Sequence, residues 1–286
     1  MQTKAGIKKE IIYFAKTFRM YGVLIAMIAL AMLSPLMLKA SELILDNLPD
    51  EESIMQSDVG EGDISIYEDD SLAEVQGMIT MDFAYISAIS GITGNAILVL
   101  LLCMMGTAGG EQKKRSIILP KCSGLKTTDY VTAKFIVYPV FTFISTAVIS
   151  ILSYFLCKLL FGESLEISVV VRYVVSASLY MVFLVALMLF VGISTGKAGI
   201  SAALIYIGTA IIPTILSLFK INKYNPFALQ HYFTGFADLS TRANKLELVL
   251  NVLITIGLII LFYILTIAIL NARKIDNSKK IGIESV

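Results

Sequence analysis

"SVVVRYVVSASLYMVFLVALMLFVGIST" (Ser168–Thr195) is an apolar run in which Arg172 is the only charged side chain. A bilayer core about 30 Å thick needs roughly 20 apolar residues in a helix, so this run is long enough to cross a membrane. Five more runs qualify, and we number all six as spans 1 to 6 in chain order: Tyr21–Ala40, Met81–Met105, Phe135–Phe161, Ser168–Thr195, Gly199–Phe219 and Leu248–Leu270. The chain of 286 residues is 57% hydrophobic and 16% charged, whereas soluble domains hold about 25% charged residues. The sequence therefore predicts an all-α polytopic membrane protein with six transmembrane helices over residues 21–270.

Lysine and arginine are distributed unevenly between the two sides of this arrangement. If residue 1 is cytoplasmic, the inner segments hold 16 Lys and Arg against 5 Asp and Glu, and the outer ones hold 7 against 17. This asymmetry is the expected one, because Lys and Arg favour the cytoplasmic side of a membrane. Both termini are therefore predicted to be cytoplasmic. A cleaved signal peptide is the alternative for the first forty residues, but Leu38-Lys39-Ala40 lacks the small residue that cleavage requires.

Residues 1–20 predict an amphipathic helix before span 1. An apolar stripe recurs at helical spacing, and basic residues lie away from it; the stripe is Ile7, Ile11, Phe14, Ala15 and Phe18, and the basic residues are Lys8, Lys9, Lys16 and Arg19. A basic amphipathic helix lies in the headgroup layer. Two interpretations stay open here, a simple orientation signal or an elbow helix that holds span 1 at an angle.

Three polar segments surround the predicted spans. The external loop 41–80 carries twelve carboxylates, and it is either a solvated cap or a vestibule that concentrates cationic molecules. In the external loop 220–247, a short helix after Pro226 is predicted to dip into the outer leaflet; its residues are Phe227, Ala228, Tyr232, Phe233 and Phe236. Residues 271–286 form a basic tail, predicted to be cytoplasmic.

The sequence offers little for catalysis. The single histidine, His231, has no partner residues nearby in sequence, and Cys103, Cys122 and Cys157 are too scattered for a metal site. No GxSxG or GxxxxGK[ST] motif occurs, so neither a nucleophile elbow nor a phosphate-binding loop is indicated. No acidic residue lies deep in a span, where an ion-driven carrier would need one. We therefore expect no catalytic residue, no metal site and no cofactor in this chain, and energy supplied by another protein.

Small residues mark span 2 and span 5. Span 2 contains Gly91, Gly94 and Asn95 near its middle, and span 5 has a similar face that includes Tyr206 and Thr209. Small residues let helices approach closely, and a polar side chain in a span needs a partner. These five residues are our candidates for a dimer interface or a translocation path.

The segment "EQKKRSIILPKCSGLKTTDYVTAKF" (Glu111–Phe135) is strongly cationic and falls in the predicted cytoplasmic loop 106–134. Its basic residues outnumber Glu111 and Asp129; they are Lys113, Lys114, Arg115, Lys121, Lys126 and Lys134. A short helix is predicted over residues 111–118, and Thr127–Asp129 suit a helix start that leads into span 3. The segment either docks a soluble partner or only sets topology and touches anionic lipid.

Here the chain resembles the permease subunits of type-2 ATP-binding-cassette (ABC) transporters. In that family the loop between spans 2 and 3 begins with a glutamate and continues through a basic helix. It then reaches a Gly-Leu or Pro turn before a lysine that opens the next span. The matching residues are Glu111, Lys113, Lys114, Arg115, Gly124-Leu125, Tyr130 and Lys134. "NPF" at Asn225–Phe227 resembles the family's outer segment, and Ile7–Phe18 its elbow helix. The chain departs from the pattern at Arg115-Ser116, where many relatives have Gly-Thr.

The resemblance implies an exporter built from two six-span subunits, identical or different, each resting on a separate ATPase subunit that binds ATP and Mg. The coupling helix would insert into that ATPase through Glu111, Lys113, Lys114, Arg115, Ile118 and Leu119. Membrane lipids are the other expected partner, nucleic acid is not expected, and the location would be the bacterial cytoplasmic membrane. The alternative is a non-transport membrane subunit, such as an immunity or sensory protein, that docks a partner through the same loop.

The charge asymmetry leads to a test of orientation with Cys122. In sealed, right-side-out vesicles, a membrane-impermeant maleimide should not label Cys122 until the membrane is permeabilised, because loop 106–134 is predicted to be cytoplasmic. A Ser57→Cys variant in loop 41–80 serves as the control and should be labelled in intact vesicles. Labelling of Cys122 in intact vesicles would contradict the predicted orientation.

Overall fold

The structure is a computed structural model, and it describes residues 2–17, 19–46, 80–107, 126–162, 164–219, 225–232 and 245–283. Within these residues it is all helical and has no strand. The α-helices are α1 (Gln2–Lys16), α2 (Arg19–Asp46), α3 (Met81–Ser90), α4 (Ala96–Met105), α5 (Thr127–Phe161), α6 (Ile167–Thr195), α7 (Ala198–Leu218) and α8 (Lys245–Ile283). A π-helical turn (Gly91–Asn95) joins α3 to α4, and a 3-10 helix (Pro226–Tyr232) precedes α8.

Six of these helical rods are long and apolar enough to cross a membrane, which confirms the predicted fold class. Their apolar ranges are Met20–Ile44, Met81–Met105, Thr127–Phe161, Ile167–Thr195, Gly199–Leu216 and Leu246–Ala272. In the order of the chain they are spans 1 to 6, and span 2 consists of α3, the π turn and α4. Most ends agree with prediction within a few residues. Span 3 is longer than its apolar run, which begins at Phe135, because its helix begins at Thr127; this confirms the helix start predicted at Thr127–Asp129.

Span 4 lies at the centre of the bundle. The buried share of the most apolar stretch is 72% in span 4, 17% in span 5 and 11% in span 6. Spans 3, 5 and 6 all pack on it, and Tyr180, Leu184 and Met188, one turn apart, are fully buried. A helix that is apolar on every side is typical of such a buried position. The unbroken run from Ser168 to Thr195 therefore forms the helix around which the others are arranged.

A glycine follows the last residue of span 3, and another follows the last residue of span 4. Gly162 (φ 74°) follows span 3 and Gly196 (φ 69°) follows span 4, and both adopt the left-handed conformation that favours glycine after a helix. Their N–H groups donate to the carbonyl oxygens of Lys158 and Gly192, each at 3.0 Å. The next helices begin soon after these glycines, at Ile167 and Ala198, so span 4 packs antiparallel to both span 3 and span 5.

The two ends of the described chain lie at the same end of the bundle. The hydroxyls of Thr132, near the start of span 3, and Tyr263, in the later half of span 6, are 2.9 Å apart. Helix α1 also packs on the start of span 3. This is the arrangement that an even number of spans requires. Which side of the membrane this end faces stays a prediction from charge.

The 3-10 helix Pro226–Tyr232 confirms the predicted short helix after span 5. The Asn225 side chain accepts a hydrogen bond from the Ala228 N–H at 2.8 Å, and Gln230 Nε2 donates to the Tyr180 hydroxyl at 2.6 Å. Tyr180 lies about 20 Å along span 4 from Ile167, at about 1.5 Å per residue. The segment therefore reaches the middle depth of the bundle, where a backbone outside an α-helix is tolerated because it is buried in protein. Phe233 and Phe236 lie outside the described residues.

Span 1 packs closely against span 2 at the π turn. A Cβ placed on Gly91 would lie 3.2 Å from the backbone oxygen of Leu30 and 3.4 Å from Ser34 Oγ. A Cβ on Gly94, one turn further, would meet nothing within 4 Å. Gly91 therefore serves the packing of this chain, whereas Gly94 and Asn95 are exposed.

These two glycines give a matched pair of substitutions. Gly91→Val should lower the free energy of unfolding by about 1–3 kcal/mol, because the new side chain forces the backbone of span 1 to move. Gly94→Val places the same side chain in open space on the same span and should change stability little. Thermal unfolding of both variants in detergent checks this, and equal losses of stability would contradict the close approach at Gly91.

Candidate functional site

One side of helix α1 packs on the start of span 3. Gly6, Glu10 and Phe14, spaced four residues apart, are buried along this side. A Cβ on Gly6 would lie 3.4 Å from that of Ala133, so glycine lets the two helices approach. The ring of Phe14 meets those of Tyr138 and Phe141 edge-on, with centroids 5.1 Å and 4.9 Å apart.

A buried ion pair lies at the centre of this contact. Lys134 Nζ is 3.3 Å from Glu10 Oε2, and the side chains are 0% and 3% exposed. The Tyr138 hydroxyl donates to the same carboxylate oxygen at 2.9 Å. Lys134 Nζ also lies 5.0 Å from the ring centroid of Tyr130 and 5.7 Å from that of Tyr138, so two aromatic faces stabilise the cation. We call Glu10, Lys134, Tyr138 and Tyr130 the basal clamp.

Two hydrogen bonds extend the basal clamp in opposite directions. The Thr3 hydroxyl donates to Asp129 Oδ1 at 2.6 Å, which joins the start of α1 to the first turn of span 3. The Thr132–Tyr263 bond joins the same part of span 3 to span 6. The first two turns of span 3 are therefore connected to α1 on one side and to span 6 on the other.

Lys134 does not lie in the cationic loop 106–134 in which the sequence predicts it. Span 3 begins at Thr127, and Lys134 lies fully buried in its second turn. The apolar run used for prediction began at Phe135 because hydropathy excludes a lysine, and it could not foresee that Glu10 neutralises this one. Lys126, just before the helix, is exposed.

Only part of the predicted apolar stripe on α1 packs against the rest of the protein. Phe14 is buried, but Ile11 is 52% exposed and Ile7 is partly exposed. The contact with span 3 centres instead on Glu10, which the periodicity argument passed over. A signal was present, since Glu10 is the only carboxylate in the first forty residues and Lys134 has a tyrosine four residues away on each side.

The other predicted site residues fall into two groups. Glu111, Lys113, Lys114, Arg115, Ile118 and Leu119 lie outside the described residues, as does Cys122. The second group is the candidate dimer interface or path. In it Gly91 is buried against span 1, Gly94 and Asn95 are exposed on span 2, Tyr206 is exposed on span 5, and Thr209 is partly exposed. The Thr209 hydroxyl donates to the backbone oxygen of Tyr206 at 2.7 Å.

At the far end of the bundle, polar and aromatic side chains join spans 2, 3 and 4. The Tyr173 hydroxyl donates to Asp82 Oδ1 at 3.3 Å, and the rings of Tyr154 and Tyr173 lie 5.8 Å and 5.9 Å from that of Tyr85. Among the described residues, no three His, Cys, Asp or Glu side chains are grouped so as to hold a metal ion. Within the same residues, Glu10 and Lys134 are the only buried charged side chains. The basal clamp is therefore the main concentration of charge inside the described bundle.

No family model, no curated protein and no solved structure matches this chain.

The basal clamp predicts an unequal response to single and double substitutions. Lys134→Met should lower the free energy of unfolding by about 3–5 kcal/mol, because it leaves a buried carboxylate without its cation. Glu10→Met combined with Lys134→Met should recover most of this loss, since two apolar residues of similar size need no counter-charge. Unfolding of the purified chain in detergent measures both. Lys126→Met is the control, because Lys126 is an exposed lysine just before the same helix. If Lys134→Met lowers the free energy of unfolding no more than Lys126→Met does, the buried pair is contradicted.

Proposed function

We propose that this chain is a membrane-spanning permease subunit of an ABC exporter. It would form the translocation pathway with a second six-span subunit and would be driven through residues 106–134 by a separate ATPase subunit that binds ATP and Mg. The observation that carries the proposal is the connection between the cationic segment and span 3. The segment leads directly into a helix whose first turns are attached to α1 by the basal clamp.

Such a connection is suited to transmitting movement. Span 3 is one continuous helix from Thr127 to Phe161, about 50 Å long at about 1.5 Å per residue. It packs along span 4, the centre of the bundle, and also contacts span 6. A push applied just before Thr127 would therefore be carried to spans 4 and 6 and, through Glu10, to α1.

The second subunit would cover the surface around spans 2 and 5. Gly94, Asn95 and Tyr206 are exposed there, and span 5 buries little of its apolar length within the chain. An exposed asparagine in the middle of a membrane span favours contact with another protein, because lipid offers it no hydrogen bond. We place the dimer interface or the path at these residues.

The six apolar helices support a location in a membrane, and the charge asymmetry supports an orientation with residues 106–134 on the cytoplasmic side. The location that we propose is the cytoplasmic membrane of a bacterium. An ATPase subunit could reach the cationic segment only from that side.

Removal of two charges should separate the chain from its ATPase. When the tagged chain is purified from its native membrane, we expect an ATPase with a GxxxxGK[ST] motif to accompany it. Glu111→Ala with Arg115→Ala should reduce the amount of that ATPase at least tenfold, because both residues are assigned to the coupling helix. Mass spectrometry of the purified material, normalised to the tagged chain, gives the ratio.

The matched control is Lys280→Ala with Glu284→Ala, which removes the same two charges from the C-terminal tail. It should keep the ATPase at the wild-type level. Equal amounts of ATPase with both double variants would contradict the role of Glu111 and Arg115, and the absence of any such ATPase from the wild-type material would contradict the proposed function.

A further inference from the structure

Helix α1 has a second apolar face, directed away from span 3. Lys4, Ile7, Lys8, Ile11 and Ile12 line a shallow, open groove of about 290 Å³ on this face. Ile11 and Ile12 are 52% and 43% exposed. Lys4 and Lys8 are one turn apart, as are Ile7 and Ile11, so the lysines and isoleucines form two adjacent rows along the helix.

The lysine charges of α1 are not neutralised by a carboxylate of the same helix. Lys4, Lys8, Lys9 and Lys16 are all exposed, and Glu10, the one carboxylate of α1, faces the other way and is paired with Lys134. Asp129, the nearby carboxylate of span 3, accepts from Thr3. The basal clamp thus removes negative charge from the outward face, and that face presents isoleucines together with cations.

The two rows of side chains favour different surroundings, hydrocarbon for one and anionic groups for the other. The isoleucines favour hydrocarbon, and the lysine ammonium groups favour phosphate oxygens. Both are available at the boundary between acyl chains and anionic headgroups, where basic amphipathic helices bind. Helix α1 packs beside residues 129–141, near one end of a helix that is long and apolar enough to span a membrane, so its outward face is placed where such a boundary would be within reach.

We propose that the outward face of α1 binds anionic phospholipid. Ile7, Ile11 and Ile12 lie among the upper acyl chains, and Lys4 and Lys8 bind the phosphate groups of the same lipids. The Glu10–Lys134 pair fixes the rotation of α1 that turns this face toward the bilayer. The surface therefore recognises negatively charged lipid in preference to zwitterionic lipid of the same chain length.

The chain contains no tryptophan, so a single introduced tryptophan can report which lipid lies against this face. The full-length Ile11→Trp variant carries a single fluorescent reporter in the groove. It is reconstituted in vesicles that contain phosphatidylcholine and phosphatidylglycerol in equal amounts, with bromine on the acyl chains of one lipid or of the other. We expect brominated phosphatidylglycerol to quench the tryptophan about twice as strongly as brominated phosphatidylcholine.

Two controls fix the interpretation. Lys4→Gln with Lys8→Gln in the Ile11→Trp background should make quenching by the two lipids equal. A separate Ile260→Trp variant, whose position on span 6 is 52% exposed, should be quenched equally by both lipids from the start. Equal quenching at residue 11 in the presence of both lysines would overturn the proposal. So would quenching at residue 11 by neither lipid, which is the outcome expected if another protein surface covers this face.

If the Ile11→Trp variant does not fold, the chain with its natural Ile11 answers the same question by native mass spectrometry. Phosphatidylglycerol should remain bound in preference to phosphatidylcholine. Lys4→Gln with Lys8→Gln should lower that preference at least twofold more than Lys279→Gln with Lys280→Gln, a matched pair in the C-terminal tail. Equal effects of the two pairs would overturn the proposal.

Discussion

A backbone inside hydrocarbon has no water to bond with, so each of its N–H and C=O groups must find a partner within the protein. Long α-helices meet this requirement, and the described bundle consists of them. Several side-chain hydroxyls are satisfied in a similar way, by donating to the carbonyl one turn earlier: Thr93 to Ile89 at 2.9 Å, Ser153 to Ile149 at 2.9 Å and Thr255 to Asn251 at 2.6 Å. The 3-10 helix Pro226–Tyr232 can enter the bundle because Asn225 satisfies its first turn and the central span covers it.

The same constraint makes the Glu10–Lys134 pair decisive for the position of α1. An isolated charge away from water is costly, and a close counter-charge with further hydrogen bonds offsets much of that cost. Rotation of α1 would separate the two groups and leave Lys134 buried without its carboxylate. The pair therefore determines which face of α1 meets span 3, and by exclusion which face carries the exposed isoleucines and lysines. The exposed face of α1 and its connection to span 3 therefore both depend on this pair.

Hydropathy was sufficient for the number and order of the spans, because chain length and apolarity decide whether a segment can cross a bilayer. It failed at Lys134, since a scale that scores each residue by itself treats every lysine as exposed. Periodicity found α1 but ranked its faces by apolarity, so it chose Ile7 and Ile11 for the stripe and passed over Glu10. A carboxylate alone among lysines, and a lysine with tyrosines four residues before and after it, were visible clues to a buried pair. Nothing in the order of residues along the chain indicates that residue 10 contacts residue 134.

The amino-acid sequence by itself determined that this protein is a six-span helical membrane protein with a basic helix ahead of its first span and a short helix before its last. Each of these features follows from the order of apolar, basic and turn-forming residues along a short stretch of chain. Only the tertiary structure decided that span 4 is central, that Gly91 is covered while Gly94 is open, and that Glu10 neutralises Lys134. The physical reason is that burial and charge pairing depend on which surfaces meet across the bundle, and residues of the same type on the same helix can face entirely different neighbours.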